Sequence, residues 1–321
     1  MRKLRIGIIG RSPTSALLEY SFEQLSGLEL VPLNPAPEHP EEFGSLVRTH
    51  QLNGVVLCGD AARRLYLSRK AGDENLPTLV ETPFSTDIDV AGSLLEERLQ
   101  RGANAALLPV SPWRFAPDWQ LARGILQGGS LGESGTFEIL LPAAPLPLPA
   151  GPEGDAQVAA ATMIQQHGWQ AMEVLRNLFG DVASLHASRL RSAQGTPAGV
   201  EIAVQCGIEW KGRVIIGRTG PESNQWATLR GAEASIELNR SDSYFINHED
   251  ERTRLGHGCF GLENWERLAS AFADVASKRT TAWMSEAELL RTVELVQATL
   301  MSLGAGLAVD GPRRYRRFVA A

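Results

Sequence analysis

The sequence predicts an α/β chain in two parts: an N-terminal doubly wound parallel sheet, then an α+β domain with a large, mostly antiparallel sheet. Three observations carry this. From Leu4 to Leu141 short apolar runs alternate with helical patterns, as strands joined by crossover helices do. Between Pro142 and Pro152 five prolines break that rhythm. Proline is excluded from helix interiors and from central strands, so a loop over a domain junction is expected there. From Val182 to Ile246 the pattern turns alternating and β-rich, with Gly195, Gly212, Gly220 and Gly231 marking the turns of an antiparallel sheet. The expected domains are 1–117 and 118–321, with the last helix a candidate to pack back on the N-terminal domain.

Taken in order, Leu4 to Ile9 is a buried first strand, and Gly10 is where the chain turns into a helix. Leu28 to Leu33 is a second strand, ending at Asn34 in a proline-rich turn. Val55 to Cys58 is a third, flanked by Asn53-Gly54 and Gly59-Asp60, with Asp60 placed to cap a helix from Ala61 to Ala71. Leu79-Val80 is a short fourth strand running into Glu81-Thr82-Pro83. Thr86 or Asp87 starts a helix to about Arg101, and Ala105 to Leu108 is a fifth strand. Asp118 to Gln127 is a helix stopped by Gly128-Gly129. A long helix runs from Gln157 to Phe179 and closes at Gly180. Lys211-Gly212, between Ile208-Glu209-Trp210 and Val214-Ile215-Ile216, reads as a tight hairpin turn. Leu289, Val293, Val296, Leu300 and Leu303 recur at helical spacing in a final helix.

Composition is that of a globular chain: 321 residues, 43% hydrophobic and 21% charged. Net charge is −6, so no overall field attracts nucleic acid. The basic run Arg313, Arg314, Arg316, Arg317 reads as a solvated tail or a salt-bridging edge. Cys58, Cys206 and Cys259 lack any C-x-x-C spacing, so no metal site or disulfide framework is expected, and a reducing, cytoplasmic compartment fits. No stretch has the length of a membrane span.

The first turn starts a dinucleotide-binding pattern and leaves it incomplete. G-x-G-x-x-G places glycines so that a pyrophosphate can approach the backbone at a helix N-terminus. Here the three slots hold Gly10, Ser12 and Ser15, with Pro13 between the serines. Arg11, Ser12 and Thr14 could still offer side-chain donors to a phosphate, and Pro13 suits a first helical position.

Several short motifs, in order along the chain, resemble the glucose–fructose oxidoreductase, inositol dehydrogenase and MocA (Gfo/Idh/MocA) family. They are the Gly7–Gly10 turn, Glu81-Thr82-Pro83, the R-F-x-P-like stretch Trp113-Arg114-Phe115-Ala116-Pro117, the G-x-L-G-E-like turn Gly129-Ser130-Leu131-Gly132-Glu133, and the final helix into Gly304 and Val309. The resemblance implies a Rossmann-type domain and an NAD- or NADP-dependent oxidoreductase, with no metal, acting on sugars, inositols or similar polyols. It also implies a dimer or tetramer formed through the open face of the C-terminal sheet. The family's catalytic pair is a lysine in E-K-P, lending positive charge to a developing alkoxide, and a histidine base in D-x-G-x-H-x-x-D.

This chain departs from that pattern at the residues that would do the chemistry. Thr82 stands at the lysine position. In the helix motif Gln170 stands at the histidine, with Gln166 and Glu173 at the aspartates. Asn34 stands where an acidic residue would grip the adenosine ribose. Gly59-Asp60-Ala61-Ala62-Arg63-Arg64 stands where T-P-x-x-x-H is found. His167, three residues before Gln170 and so roughly on the same face, reads as a substitute base or as a histidine packed beside Trp169 or hydrogen-bonded at a helix end, and Glu173 reads as a second acid or base or as a partner of Arg176. Arg114 reads equally as an anion ligand or a buttress. Trp113, Trp119 and Trp169 read as sugar-stacking platforms or as core.

The candidate catalytic set is therefore Thr82, His167, Gln170 and Glu173. The cofactor set is Gly10, Arg11, Ser12, Thr14, Ser15, Asn34 and Glu81, and the substrate set is Trp113, Arg114, Gln166 and Trp169. Losing the cofactor loop together with both catalytic residues exceeds what a change of substrate requires. It points to an impaired or inactive sugar dehydrogenase that keeps a sugar-like ligand or a partner protein. The alternatives are a divergent active oxidoreductase, or a reductase of the biliverdin reductase type, a relative that also lacks the lysine and the histidine.

Overall fold

The computed structural model describes residues 3–33, 40–85, 87–101, 105–143, 153–191, 197–207, 209–217, 225–258 and 261–310. Asn34, Thr86, Gly195, Gly220, Cys259, the arginine run from 313 and most of the proline stretch lie outside them. The chain divides into two compact units, Met1–Phe115 with Gly261–Leu290, and Ala116–Phe260 with Arg291–Ala321.

The first unit is built on five parallel strands: β1 (Leu4–Ile9), β2 (Leu28–Pro32), β3 (Gly54–Leu57), β4 (Thr78–Val80) and β5 (Leu107–Pro109), in the order β2-β1-β3-β4-β5. Ile6, Ile8, Val55, Val56, Leu79 and Leu108 are fully buried in it, each contributing roughly 1.5–3 kcal/mol. Short runs buried on both faces are what a parallel sheet under helices requires. The connecting helices are α1 (Pro13–Glu23), α2 (Pro40–His50), α3 (Ala61–Asp73) and α4 (Ile88–Arg101). Asp60 caps α3, accepting from the Arg63 amide at 2.8 Å, and Asp87 caps α4, accepting from the Asp89 and Val90 amides at 3.1 Å.

A further helix of this unit comes from far along the chain. After α5 (Pro117–Gln127) and α6 (Glu153–Phe179) of the second unit, α7 (Leu262–Ala276) falls back in the first. Its Phe272 meets Phe22 of α1 edge-on at 6.2 Å. A Cβ on Gly54 would lie 3.1–3.2 Å from Ala276, Ile6 and Phe272, so that glycine lets α7 close on the sheet. The boundary expected at 117 therefore assigns residues 261–290 to the other unit. The reason is long-range burial: α7 covers a face of β1 and β3 that the first 115 residues leave open.

The second unit holds nine strands: β6 (Gly135–Pro142), β7 (Val182–Arg191), β8 (Pro197–Cys206), β9 (Trp210–Gly217), β10 (Gln225–Gly231), β11 (Ala234–Asn239), β12 (Ser243–Asn247), β13 (Arg252–Gly256) and β14 (Val309–Asp310). The order is β13-β12-β11-β10-β6-β9-β8-β7-β14, antiparallel throughout except that β6 runs parallel to β9. The apolar run ending at Leu141 forms β6, at the centre of this sheet. The expected hairpin turn at Lys211-Gly212 is also corrected, since both residues lie inside β9. A Cβ on Gly212 would sit 2.1 Å from the Phe137 carbonyl oxygen, so this glycine serves close strand approach and not a turn. Gly231 does end β10 as expected, and Gly180, at φ +79°, closes α6.

One face of this sheet is apolar and carries α5, α6 and the later part of α8 (Glu286–Ala305). Phe137 stacks on Phe179 at 4.5 Å, and Trp119 packs on Trp226 at 4.8 Å. Val296 of α8 packs against α6 at Gly168, where an added Cβ would meet it at 3.5 Å, an ordinary contact distance. On the other face Arg213 bridges Glu138 and Glu201, and Arg252 pairs with Glu237 at 2.6 Å. Such half-exposed pairs contribute about 0–1 kcal/mol each.

Candidate functional site

In a parallel sheet of order 2-1-3-4-5, connections leave in opposite directions at β1 and β3, and ligands bind outside the carboxyl ends of those strands. The two turns that emerge there pack on each other. Gly10, at φ +88°, has its α-carbon against the Cys58 carbonyl, and an added Cβ would lie 2.0 Å from that oxygen. Gly59, at φ +83°, faces the Arg11 backbone, and the Cys58 amide donates to the Ile9 carbonyl at 2.8 Å.

Glu81 follows β4 and reaches into this junction. Its Oε2 accepts from the Gly59 amide at 2.8 Å and from Arg64 Nη1 at 2.9 Å. Arg64, on the first turn of α3, is 5% exposed. It also donates to the carbonyl of Gly59 and, at 2.6 Å, to that of Pro83 after a cis Thr82-Pro83 peptide. Its Nε is buried without a hydrogen-bond partner. Burial lowers the Arg64 guanidinium from its ordinary pKa, while the neighbouring Glu81 carboxylate opposes that shift. Sequence reasoning named Glu81 as a cofactor contact and gave Arg64 no role. The structure joins them into one pair that ties the ends of β3 and β4 together, with Thr82 half-buried beside them. Cys58 lies in the same junction. Burial, then Glu81, pushes its thiol up to about 12, against the pull of Arg64 and a hydrogen bond from the Ser12 hydroxyl.

The two serines in the glycine slots form a capping box at the start of α1. The Ser15 amide donates to Ser12 Oγ and the Ser12 amide to Ser15 Oγ, both at 3.1 Å, and the Ser15 hydroxyl donates to the Ser12 carbonyl at 2.9 Å. Arg11 is exposed and Thr14 half-buried in the same turn. The structure thus brings Gly10, Ser12, Ser15 and Glu81 together with Cys58 and Arg64, while Asn34 lies outside the described residues.

In the second unit, Gln166, His167, Trp169, Gln170 and Glu173 follow one another along α6. Gln166 is exposed, His167 and Gln170 are half-buried, and Glu173 is 1% exposed. Burial lowers the His167 pKa from its ordinary value, favouring the neutral imidazole. Arg176 donates to Thr292 Oγ1 at 3.0 Å. Trp119 is fully buried with its Nε1 on Asn177 at 2.8 Å, and Trp169 is 4% exposed; these two are core residues. Trp113, in the 3-10 turn Pro112–Phe115 of the first unit, is likewise 4% exposed, with the Arg114 guanidinium 5.8 Å from its ring centre. Among the described residues no cluster of His, Cys, Asp or Glu is placed to hold a metal, and no helix is long and apolar enough to cross a membrane.

No family model and no curated protein matches this chain. Solved structures do. An oxidoreductase from Agrobacterium radiobacter, in complex with NAD+, L-tartaric acid and magnesium, aligns at 15% identity with a TM-score of 0.72, covering 96% of this chain and 98% of its own. A myo-inositol dehydrogenase from Corynebacterium glutamicum aligns at 15% identity and TM-score 0.70, with the same coverage of 96% and 98%. An oxidoreductase from Thermotoga maritima aligns at 16% identity and TM-score 0.73, again over 96% and 98%. The two-unit fold is that of Gfo/Idh/MocA-type oxidoreductases.

Proposed function

We propose that this chain, which has the fold of the Gfo/Idh/MocA-type oxidoreductases, has lost sugar-dehydrogenase chemistry and uses the scaffold to hold a sugar-like small molecule or a partner chain. The observation that supports this reading is what the E-x-P segment does. Glu81 holds the Gly59 amide and a buried Arg64, and the next residue, Thr82, carries no charge to place beside an alkoxide. Gln170, at the histidine position of α6, has no titrating group. Titration with NADH and NADPH, followed by quenching of the seven tryptophans or by nicotinamide fluorescence, tests the reading. No turnover of polyols or sugars is expected, and hydride transfer at an ordinary enzymatic rate would overturn it. Self-association is assigned to the charged outer face of the nine-stranded sheet. Light scattering should give a dimer or tetramer, and a strict monomer rejects that assignment.

One observation favours a second reading, a divergent oxidoreductase of NAD or NADP. His167 lies half-buried on α6 three residues from Gln170, and burial favours the neutral imidazole that a general base needs. On that reading His167→Ala abolishes turnover while leaving the fold intact.

A further inference from the structure

A dinucleotide seated at the start of α1 needs hydrogen-bond donors there, because a helix N-terminus binds a pyrophosphate through amides that have no partner within the helix. In this chain all but one of the backbone donors of residues 12 to 15 are committed or absent. Pro13, the first helical residue, has no N–H. The Ser12 and Ser15 amides are each taken by the other serine's hydroxyl at 3.1 Å. The Ser15 hydroxyl brings no replacement, since it donates to the Ser12 carbonyl at 2.9 Å. Of residues 12 to 15, only Thr14 keeps an amide outside this arrangement. Ser12 also places a side chain where the glycine of a G-x-G-x-x-G turn would leave room for close backbone approach.

We infer that the Ser12–Ser15 capping box is a built-in plug of the pyrophosphate seat, so that a nicotinamide dinucleotide binds only by breaking it, and that these serines with Pro13 set the affinity of this chain for such a ligand. The residues present do not fit a pyrophosphate as they stand. The inference rests on the proposed loss of dehydrogenase function for its context but is tested apart from it, since it concerns binding and not turnover. Neighbouring features strengthen it. Gly10 cannot swing away to widen the turn, because its α-carbon is packed on the Cys58 carbonyl. Cys58 is fixed in turn by β3 and by the Gly59 amide bond to Glu81. The helix start is therefore held from below as well as capped from within.

The test compares NADPH and NADH binding by isothermal calorimetry for the wild-type chain, Ser12→Gly/Ser15→Gly, Pro13→Ala, and the triple variant, with thermal melts and circular dichroism to confirm folding. Glycine at the Ser12 N-cap costs only a few tenths of a kcal/mol and at Ser15, the third helical residue, about 1 kcal/mol, losses that the melts will register without unfolding the chain. The double variant should bind about tenfold or more tightly than wild type, the factor of one recovered charge-assisted hydrogen bond, and the triple variant more tightly still. Equal affinities of wild type and the folded triple variant would overturn the plug, whether wild type binds at micromolar or not at all. Tightening by Pro13→Ala alone, with none from the serine pair, would also overturn the role given to the box. Micromolar binding by wild type followed by substrate turnover counts against the loss of function instead, and leaves the comparison among variants to decide the plug.

Discussion

Gly10 shows how a residue named for a ligand is first constrained by its own fold. Its positive φ and the Cys58 carbonyl 2.0 Å from where a Cβ would stand make any side chain there a clash with backbone. Gly10→Ala should destabilise the protein by about 2–4 kcal/mol in urea or guanidinium titrations. Glu81 makes the same point for a charge. Its partner Arg64 is buried, so Glu81→Ala leaves a guanidinium with only carbonyl acceptors, and a loss of about 2–4 kcal/mol is expected. An unchanged melting curve would mean that the pair does not tie β3 to β4. His167 carries a pH prediction. Its folded pKa lies below the ordinary 6.5, so as pH falls through that value the unfolded chain takes up a proton that the folded chain refuses. Any contribution of this group is complete above that pH, and stability declines below it. His167→Gln should flatten the fall in denaturation midpoint between about pH 7 and pH 5.5, and an identical slope would show that other groups govern it.

At the scale of elements, α1 and β9 separate what local pattern encodes from what packing imposes. The capping box gives α1 a start that can be measured. Ser12→Ala should cost about 1 kcal/mol, whereas Ser12→Gly should cost only a few tenths, because glycine leaves the end open to water. The caps by Asp60 and Asp87 and the stop at Gly180 were legible in the sequence for the same reason: each is decided within one turn of chain. Gly212 was not. A lysine-glycine pair between apolar runs has the local signature of a hairpin, but its glycine answers to the Phe137 carbonyl on a strand 75 residues earlier in the chain (212 − 137). The pairing of β6 with β9 is a long-range choice of the same kind.

At the scale of the whole molecule, the division into units decides which fragments can fold. Residues 1–117 alone contain all five strands of the parallel sheet but not α7. Without it Phe22 and the Gly54 face lose Phe272 and Ala276, and apolar surface worth several kcal/mol is exposed. A fragment of residues 1–117 should therefore bind a hydrophobic dye and lack a cooperative melt, while one carrying residues 261–290 through a linker should regain it. A cooperative melt of the shorter fragment would reject that account.

By itself the sequence determined the alternation of strands and helices and most of the caps and stops, because each of these is local or is read by order along the chain. Only the tertiary structure decided that α7 belongs with the first sheet, that β6 lies at the centre of the second, and that Arg64 engages Glu81. It also decided that the two serines spend their donors on each other. Those outcomes depend on which buried surfaces and unsatisfied polar groups meet across tens to hundreds of residues, and no spacing within a segment encodes that.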